Sequence, residues 1–362
     1  MSQAKRLTIR EVAAAAGVSA QTVSRVINDR PDVAPETSQR VREIIRATGY
    51  APNMLARGLT QGRSHVLGVV AYGLDYFGPS HVVAAIERRA AERGYAIMLN
   101  LILEPDTNDV DHLLNGLSAR QVDGIIWAIP EVADNRDCLR SRVAELSVPV
   151  ILVGGMTGQA FLPSIAIDNA AIGRLATEHL LAGGAKHLGI ITGPSSWWEA
   201  RQRRAGWAQI LSSHGLSTDE CVIYEGDWTV SSGAEAFLAM RRTCPRIDAI
   251  FASNDQMALG VLHTAHNLGI RVPEELSVVG VDNTAESSHF WPPLTTVDQP
   301  LGKAGELAVE AIDELISNSS RVRRAVEIDP STTLLEPRLI IRESSRPGAP
   351  AEAIELVGID QQ

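Results

Sequence analysis

Hydrophobic positions along the chain follow two regimes that meet near residue 65. Before it, apolar side chains recur every three or four residues in short segments, which predicts three amphipathic helices. Thr8-Ile9-Arg10-Glu11 starts the first, where Thr8 can cap while Glu11 reaches back to complete a capping box. Val12 and Ala16 share its apolar stripe, and Gly17 supplies the left-handed backbone that ends it. Ser19 suits the cap of a second helix, in which Val23, Val26 and Ile27 face the first. Ala20, Gln21, Ser24, Arg25 and Asn28 are then left pointing outward. Pro35 and Glu36 open a third helix, Val41, Ile44 and Ile45 close the small core, and Gly49 ends it.

Beyond residue 65 short β-branched runs alternate with longer helical ones. Val66 to Val70 reads as a buried strand, 80–94 as a helix, Ala96 to Ile102 as a strand and 108–119 as a helix. Strands over 122–127 and 148–153 follow, with a helix between them. The order then repeats: helices over 170–182, 199–213, 231–242 and 255–268, and strands over 187–192, 221–225, 249–252 and 276–281. Near-continuous apolar strands alternating with helices predict parallel sheets covered on both faces. Two such units in tandem predict two lobes with a cleft at the polar strand ends. The fold class is therefore an all-α helix-turn-helix headpiece followed by an α/β, two-lobed body with parallel sheets.

A turn of about three residues between the first two helices is what a helix-turn-helix needs, and it points to duplex DNA. Charge strengthens that reading. Residues 1–65 carry ten Lys and Arg against five acids, a net of +5, whereas the whole chain is at −10, so the remainder holds −15. A basic head on an acidic body is expected where one small domain neutralises phosphates and the rest must not adhere to DNA. An ordinary helical hairpin with solvated faces is the plainer alternative.

Cys138, Cys221 and Cys244 are widely spaced and read as reduced packing residues, with neither a disulfide frame nor a zinc site. No metal and no cofactor is expected. The N-terminus has no apolar signal core, and no run approaches the ~18 apolar residues of a membrane span, so a cytoplasmic, nucleoid-associated protein without a membrane partner is expected. His263 and His266 could share a helix face but lack a third ligand, and no acid-base pattern marks an enzyme. A secreted binding protein would share the body but needs a leader in place of the basic helices.

Ordered motifs extend from Thr8 to about Arg342. They include Ala16-Gly17-Val18-Ser19, Gln21-Thr22-Val23-Ser24-Arg25-Val26, Tyr50-Ala51-Pro52-Asn53, Arg203-Arg204-Ala205-Gly206-Trp207 and Glu225-Gly226-Asp227-Trp228. Further on come Ser253-Asn254-Asp255-Gln256-Met257-Ala258, Val278-Val279-Gly280-Val281-Asp282 and Pro293-Leu294-Thr295-Thr296-Val297. In these the chain resembles the LacI/GalR family of bacterial transcription regulators. The resemblance implies a type I periplasmic-binding-protein-like body, a homodimer and a pseudo-palindromic operator. It implies a DNA-binding domain over 1–51, a hinge helix over 52–62 and an effector-binding and dimerisation domain over 63–342. Within that domain, lobe 1 would be about 63–168 and 299–327 and lobe 2 about 169–298 and 328–342. Residues 343–362 would be a flexible tail, without the leucine heptads of a tetramer.

By the same resemblance Ala20, Gln21 and Arg25 read the major groove. Gln21 suits adenine and Arg25 guanine, while Ala20 offers a methyl. Thr8, Ser19, Thr22, Ser24 and Asn28 would support them on the DNA, with Asn53, Ala56 and Leu59 in the hinge. Leu59 matches a leucine that wedges into the minor groove. The hinge is marginal as a helix, being far below the ~12–15 residues an isolated helix needs, and Gly58 costs it about 1 kcal/mol. A plain linker is the alternative.

Aromatic residues are only 4% of the chain, yet Trp127, Trp197, Trp198 and Trp228 fall at or beside strand-to-helix junctions near the expected cleft. Aromatic faces pack against the C–H side of a pyranose while a few polar groups take its hydroxyls. Core packing is the alternative for each tryptophan taken singly. The resemblance implies a pocket of Trp127, Trp197, Glu199, Arg203, Trp228, Asn254, Asp282 and Gln299, with Arg203, Asn254 and Asp282 holding hydroxyls. Tyr76, Gly78, Pro79 and Val82 match the wall of the first lobe. Two positions depart from the most similar member: Ala171 stands for an aspartate near the sugar and Leu301 for a ring-stacking phenylalanine. A galactoside, another disaccharide or a plant-derived oligosaccharide fragment all fit. The expected regulator is a repressor released by a sugar inducer; the alternative is a corepressor-dependent repressor that binds a nucleobase or other small molecule.

Overall fold

The computed structural model describes residues 7–27, 30–50, 63–102, 110–132, 135–155, 160–218, 221–321 and 331–347. The expected reader Asn28 and the hinge positions Asn53, Ala56 and Leu59 lie outside them. The chain divides after Ser64 into two units.

In the first unit, helices α1 (Ile9–Ala16), α2 (Ala20–Ile27) and α3 (Pro35–Thr48) form where the periodicity places them. The capping box closes in both directions: the Glu11 amide donates to Thr8 Oγ1 at 3.4 Å and the Thr8 amide to Glu11 Oε2 at 2.6 Å. Gly17 ends α1 at φ 64°, in the left-handed region where a Cβ is costly. Val12, Ala13, Ala16, Val23, Val26 and Val41 are buried together, with Ile27, Ile44 and Ile45 half-buried around them. Each fully buried valine contributes roughly 1.5 kcal/mol or more, which such a small core needs.

The second unit holds two parallel-dominated sheets. In the first, the order is β11 (Thr332–Leu335), β5 (Ser164–Ile167), β4 (Val150–Val153), β3 (Gly124–Ala128), β1 (Val66–Tyr72) and β2 (Ala96–Ile102). In the second it is β12 (Arg338–Ile340), β10 (Thr295–Asp298), β9 (Ser277–Val281), β8 (Ala249–Ala252), β6 (Leu188–Thr192) and β7 (Val222–Glu225). Every pairing is parallel except β10 with β12. Central strands β3, β4, β6, β8 and β9 are buried at every position, as sheets covered by helices on both faces require. Edge strand β2 is only patchily covered, with Leu101 51% exposed.

Three described segments cross between the lobes. Asp168 leads from β5 into α7 (Asn169–Ala182), Gln299-Pro300 leads from β10 into α11 (Leu301–Arg321), and Glu336-Pro337 joins β11 to β12. The lobe boundary expected over 328–342 is corrected here. Helix α11 packs on lobe 1, so the returning chain first pairs with β5 in that lobe and reaches lobe 2 only at Arg338. The tail also begins later than expected. Ser344 and Ser345 are buried: the Thr295 amide donates to Ser344 Oγ at 2.8 Å, Ser344 Oγ donates to the Val278 carbonyl at 2.6 Å, and Ser345 Oγ meets His179 Nε2 at 2.7 Å. These hydroxyls satisfy strand-end groups and make 343–347 part of lobe 2.

Candidate functional site

On the first unit Gln21 and Arg25 are exposed on α2, where side chains can meet base edges. Arg25 Nη1 lies 3.3 Å from Asp32 Oδ2, with both side chains about half exposed. Such a pair is weak and readily exchanged for a guanine or a phosphate. Ser19 Oγ accepts the Thr22 amide at 3.0 Å and also bonds Thr22 Oγ1 at 2.9 Å, so both residues hold the start of α2. Thr8 does the same for α1. Ala20 is half-buried against the three-helix core and does not project freely. Arg40 Nε donates to the Ala16 carbonyl at 3.1 Å, placing a cation at the C-terminal end of α1 and tying α3 to it.

The second unit encloses a cavity of about 740 Å³ between its lobes. Strand ends and helix starts supply its side chains, as the doubly wound topology dictates. Helix α8 (Trp198–Ser213) carries Glu199 and Arg203; Asn254 begins α10 (Asp255–Asn267), and Asp282 follows β9. Arg203 comes into place because α7 and α8 touch backbone to backbone. A Cβ on Gly173 would fall 2.0 Å from the Arg203 carbonyl, and one on Gly206 2.0 Å from that of Ala170.

Arg203 is buried and organises the floor. Its Nε donates to Asn169 Oδ1 at 2.8 Å, Nη1 donates to the Ser253 carbonyl, and Nη2 donates to Gln299 Oε1 at 3.2 Å. Gln299 Nε2 in turn donates to Asp282 Oδ1 at 2.5 Å. Asn169 and Gln299 both stand at interlobe crossings, so one guanidinium is bonded to two of the three connections. Asn254 caps α10 through the Met257 amide at 2.8 Å and donates to the Trp228 carbonyl at 2.9 Å, which fixes the backbone of Trp228 at φ 73°. Asp282 is likewise held at φ 115°, an uncommon conformation outside glycine.

Electrostatics follow burial. Desolvation pushes the Asp282 carboxyl up to about 7, with the neighbouring Arg203 acting against it. Burial raises Asp255 to about 6, although Thr296 Oγ1 and the Thr284 amide bond its carboxylate. Glu199 is raised by burial as well, opposed by Arg203 and Arg136.

Aromatic side chains wall the cavity around Trp197. Its ring stands 5.5 Å from Tyr76 and 5.9 Å from Tyr72 of lobe 1, and 5.7 Å from Trp228 of lobe 2. A clasp joins the lobes beside it. Val132 and Trp197 form an antiparallel bridge, the Trp198 amide donates to the Glu131 carbonyl at 3.0 Å, and Arg201 Nη2 lies 3.0 Å from Glu131 Oε1. Trp198 covers Gly155, where any Cβ would strike its ring.

Of the expected effector positions, Tyr76, Gly78, Pro79, Val82, Trp197, Glu199, Arg203, Trp228, Asn254, Asp282 and Gln299 are brought together on this cavity, and Leu301 joins them. Trp127 is not. It is 1% exposed and packs with Val70, Ile125, Leu139 and Leu152 on the outer face of the first sheet. Strand alternation turns its successor Ala128 to the cavity instead. Sequence reasoning missed Asn169, which stands at the polar end of an apolar strand and was findable by that rule. It also missed Tyr72, for which the strand pattern carried no signal. Among the described residues no group of three or more His, Cys, Asp and Glu could hold a metal ion, and no helix is long and apolar enough to cross a membrane. The three cysteines are half-buried, and none is in a disulfide.

Comparison with known proteins agrees with both units. Residues 8–53 match the model for "Bacterial regulatory proteins, lacI family", and residues 177–345 match that for a periplasmic binding protein-like domain. The chain is 32% identical to the lactose operon repressor of Escherichia coli (strain K12), over 93% of this chain and 95% of that one. It is also 32% identical to catabolite control protein A of Priestia megaterium, over 94% and 99%. A lac repressor dimer solved with operator and the anti-inducer ONPF superposes with a TM-score of 0.82 at 31% identity, covering 94% of this chain and 99% of that one. The complex of the transcriptional regulator CelR with cellobiose gives 0.69 at 29% identity, covering 94% and 100%.

Proposed function

Because the chain belongs to the LacI family of DNA-binding transcriptional repressors, we propose that it holds a pseudo-palindromic operator as a homodimer in the cytoplasm and releases it when a saccharide fills the interlobe cavity. The observation that carries this reading is the bonded set Asn169–Arg203–Gln299–Asp282 facing an aromatic wall. Fixed donors and acceptors opposite ring faces suit a molecule with hydroxyls around its edge and C–H groups on its flat side. CelR, a relative of similar architecture, binds cellobiose, which supports the assignment.

Release works through the crossings. A ligand shifts operator affinity only by its differential affinity for two lobe arrangements. A sugar that bonds Arg203 and Asp282 in lobe 2 and touches Tyr76 in lobe 1 favours the arrangement in which all of these meet. Transmitted through two chains, that arrangement separates the paired DNA-binding heads.

Gel-shift titration tests the scheme. The protein binds an inverted-repeat duplex in preference to scrambled competitor at moderate salt, and a neutral mono- or disaccharide dissociates the complex. A sugar that tightens the complex, or a nucleobase acting where sugars do not, overturns it. Arg25→Ala is expected to cost roughly 1–3 kcal/mol on the operator and little on random DNA; equal loss on both removes Arg25 from base reading.

A further inference from the structure

We propose that the cavity is a two-ring site: its buried polar end reads the terminal ring of a neutral oligosaccharide, and its half-exposed aromatic end, centred on Trp197, stacks the next ring. The proposal rests on the saccharide reading and adds a ligand length and an orientation to it. Exposure is graded along the lining. Arg203, Asn254, Asp282 and Gln299 are at most 9% exposed, whereas Tyr72, Tyr76 and Trp197 are half-buried and Asp75, Leu101 and Thr229 are exposed. Strand register groups the outer residues: Leu101 and Ile102 of edge strand β2 lie beside Ala71 and Tyr72 of β1. Tyr76 and Asp75 stand just ahead of α4 (Phe77–Glu92) on the same side of the cleft. The cavity thus has a deep polar end and a mouth at the aromatic rings.

Regular steps join the two ends. The guanidinium carbon of Arg203 lies 5.7 Å from the centre of the Trp228 ring, that ring 5.7 Å from Trp197, and Trp197 5.9 Å from Tyr72 and 5.5 Å from Tyr76. Each step is comparable with the breadth of a pyranose ring, so a sugar bonded at Arg203 has room for its neighbour beside Trp197. The volume of about 740 Å³ agrees, standing high in the ~300–1,000 Å³ range of pockets that enclose drug-sized molecules. One hexose would leave much of it to water. None of the three aromatic neighbours lies parallel to Trp197, and its backbone is fixed by the bridge to Val132 and by its amide donating to the Pro194 carbonyl at 3.0 Å. A ring held in this way is an apolar surface on which a C–H face stacks at little entropic cost. Directed groups are sparser at the mouth, where Thr229 Oγ1 already donates to Asp227 and accepts the Ser232 amide. Stacking tolerates either epimer, so the deep end selects the sugar and the mouth selects the length. Tyr72 and Tyr76 come from lobe 1 and Trp197 and Trp228 from lobe 2, so the second ring meets both lobes and adds to the differential contact that release requires.

Titration calorimetry on the full chain tests this with glucose, galactose, cellobiose, lactose and maltose, the monosaccharides being measured by competition against the tightest disaccharide. At least one disaccharide binds a hundredfold or more tighter than either monosaccharide it contains. Trp197→Ala lowers that disaccharide-to-monosaccharide ratio tenfold or more, and Trp197→Phe, which keeps a ring face, restores most of it. Rescue by phenylalanine separates stacking from a general structural role. Should Trp197→Ala not fold, Tyr72→Leu decides, with a threefold or greater fall in the same ratio expected and an unchanged ratio counting against the site. A monosaccharide that binds as tightly as the disaccharides containing it, or a folded Trp197→Ala protein that keeps the full ratio, overturns the second ring while leaving a sugar-binding cavity intact. If no neutral sugar binds the wild type, the saccharide reading itself falls and the two-ring site with it.

Discussion

The two walls of the cleft are built on opposite plans. Lobe 1 presents Tyr76, Phe77, Pro79, Val82, Leu101 and Ile165, which offer area and shape but few directed bonds. Lobe 2 presents Arg203, Asn254 and Asp282, each already fixed by neighbours before any ligand arrives. Preorganised polar groups lose little freedom on binding and so can discriminate between hydroxyl patterns. Apolar area is tolerant of shape, and it contributes only when the lobe closes over the ligand. Under the proposed function, lobe 2 then sets which ligand binds, and lobe 1 converts binding into closure.

Arg203→Ala breaks this contrast most severely. It removes the links to Asn169, Ser253 and Gln299 and leaves Asp282 buried without its cation, so sugar affinity is expected to fall at least a hundredfold, with a loss of about 3 kcal/mol in stability. Calorimetry and denaturant unfolding measure the two effects, and near-normal sugar binding would contradict the role of lobe 2. On the opposite wall Tyr76→Ala is expected to be milder, about 1.4 kcal/mol or tenfold in sugar affinity, without altering preference among epimers. A change in preference would mean that lobe 1 also sets specificity.

Acidity sharpens the contrast, because Asp282, with a pKa near 7, stands on the lobe 2 wall. Sugar hydroxyls donating to Asp282 require the carboxylate, and its pKa near 7 means that affinity weakens as pH falls below 7 and levels off above it. The stability of the empty protein runs the other way. The folded state binds this proton more readily than the unfolded chain, so the contribution of the group is greatest at low pH and is lost as pH rises from about 4 to about 7. Asp282→Asn removes the dependence of affinity and leaves only the stability change due to Asp255, which parallel calorimetric and thermal-melt series at pH 6 and 8 would reveal. The smallest effect is expected at the clasp. Glu131→Gln loses an ion pair whose arginine is 39% exposed, worth about 1 kcal/mol or less, and raises the sugar concentration needed for half-release a few-fold. A drop in that concentration would show that the clasp opposes closure.

Much of the scaffold was readable because it depends on neighbours in the chain. Thr8 with Glu11, Gly17 and the valines of α2 announce the headpiece, and the buried strands announce parallel sheets. Family motifs brought Arg203, Asn254, Asp282 and Gln299 to the cavity. Trp127 was misplaced because a wholly apolar strand gives no parity: β3 sends Ile126 and Ala128 to one face and Ile125 and Trp127 to the other. The burial of Arg136 was invisible, since a charged residue on a polar helix reads as solvated, whereas its guanidinium is buried and donates to the Ile129 carbonyl.

From the chain alone came the order of elements, the basic reader ahead of an acidic sensor, and the residue types at the strand ends, all governed by periodicity and capping within a few residues. Tertiary structure decided which strand face meets the cavity, that the chain returns through lobe 1 before its last crossing, and that Arg203 bonds Asn169 and Gln299 at two of the crossings. Those outcomes depend on side chains far apart in sequence, whose burial, pairing and protonation exist only once two lobes enclose them and exclude water.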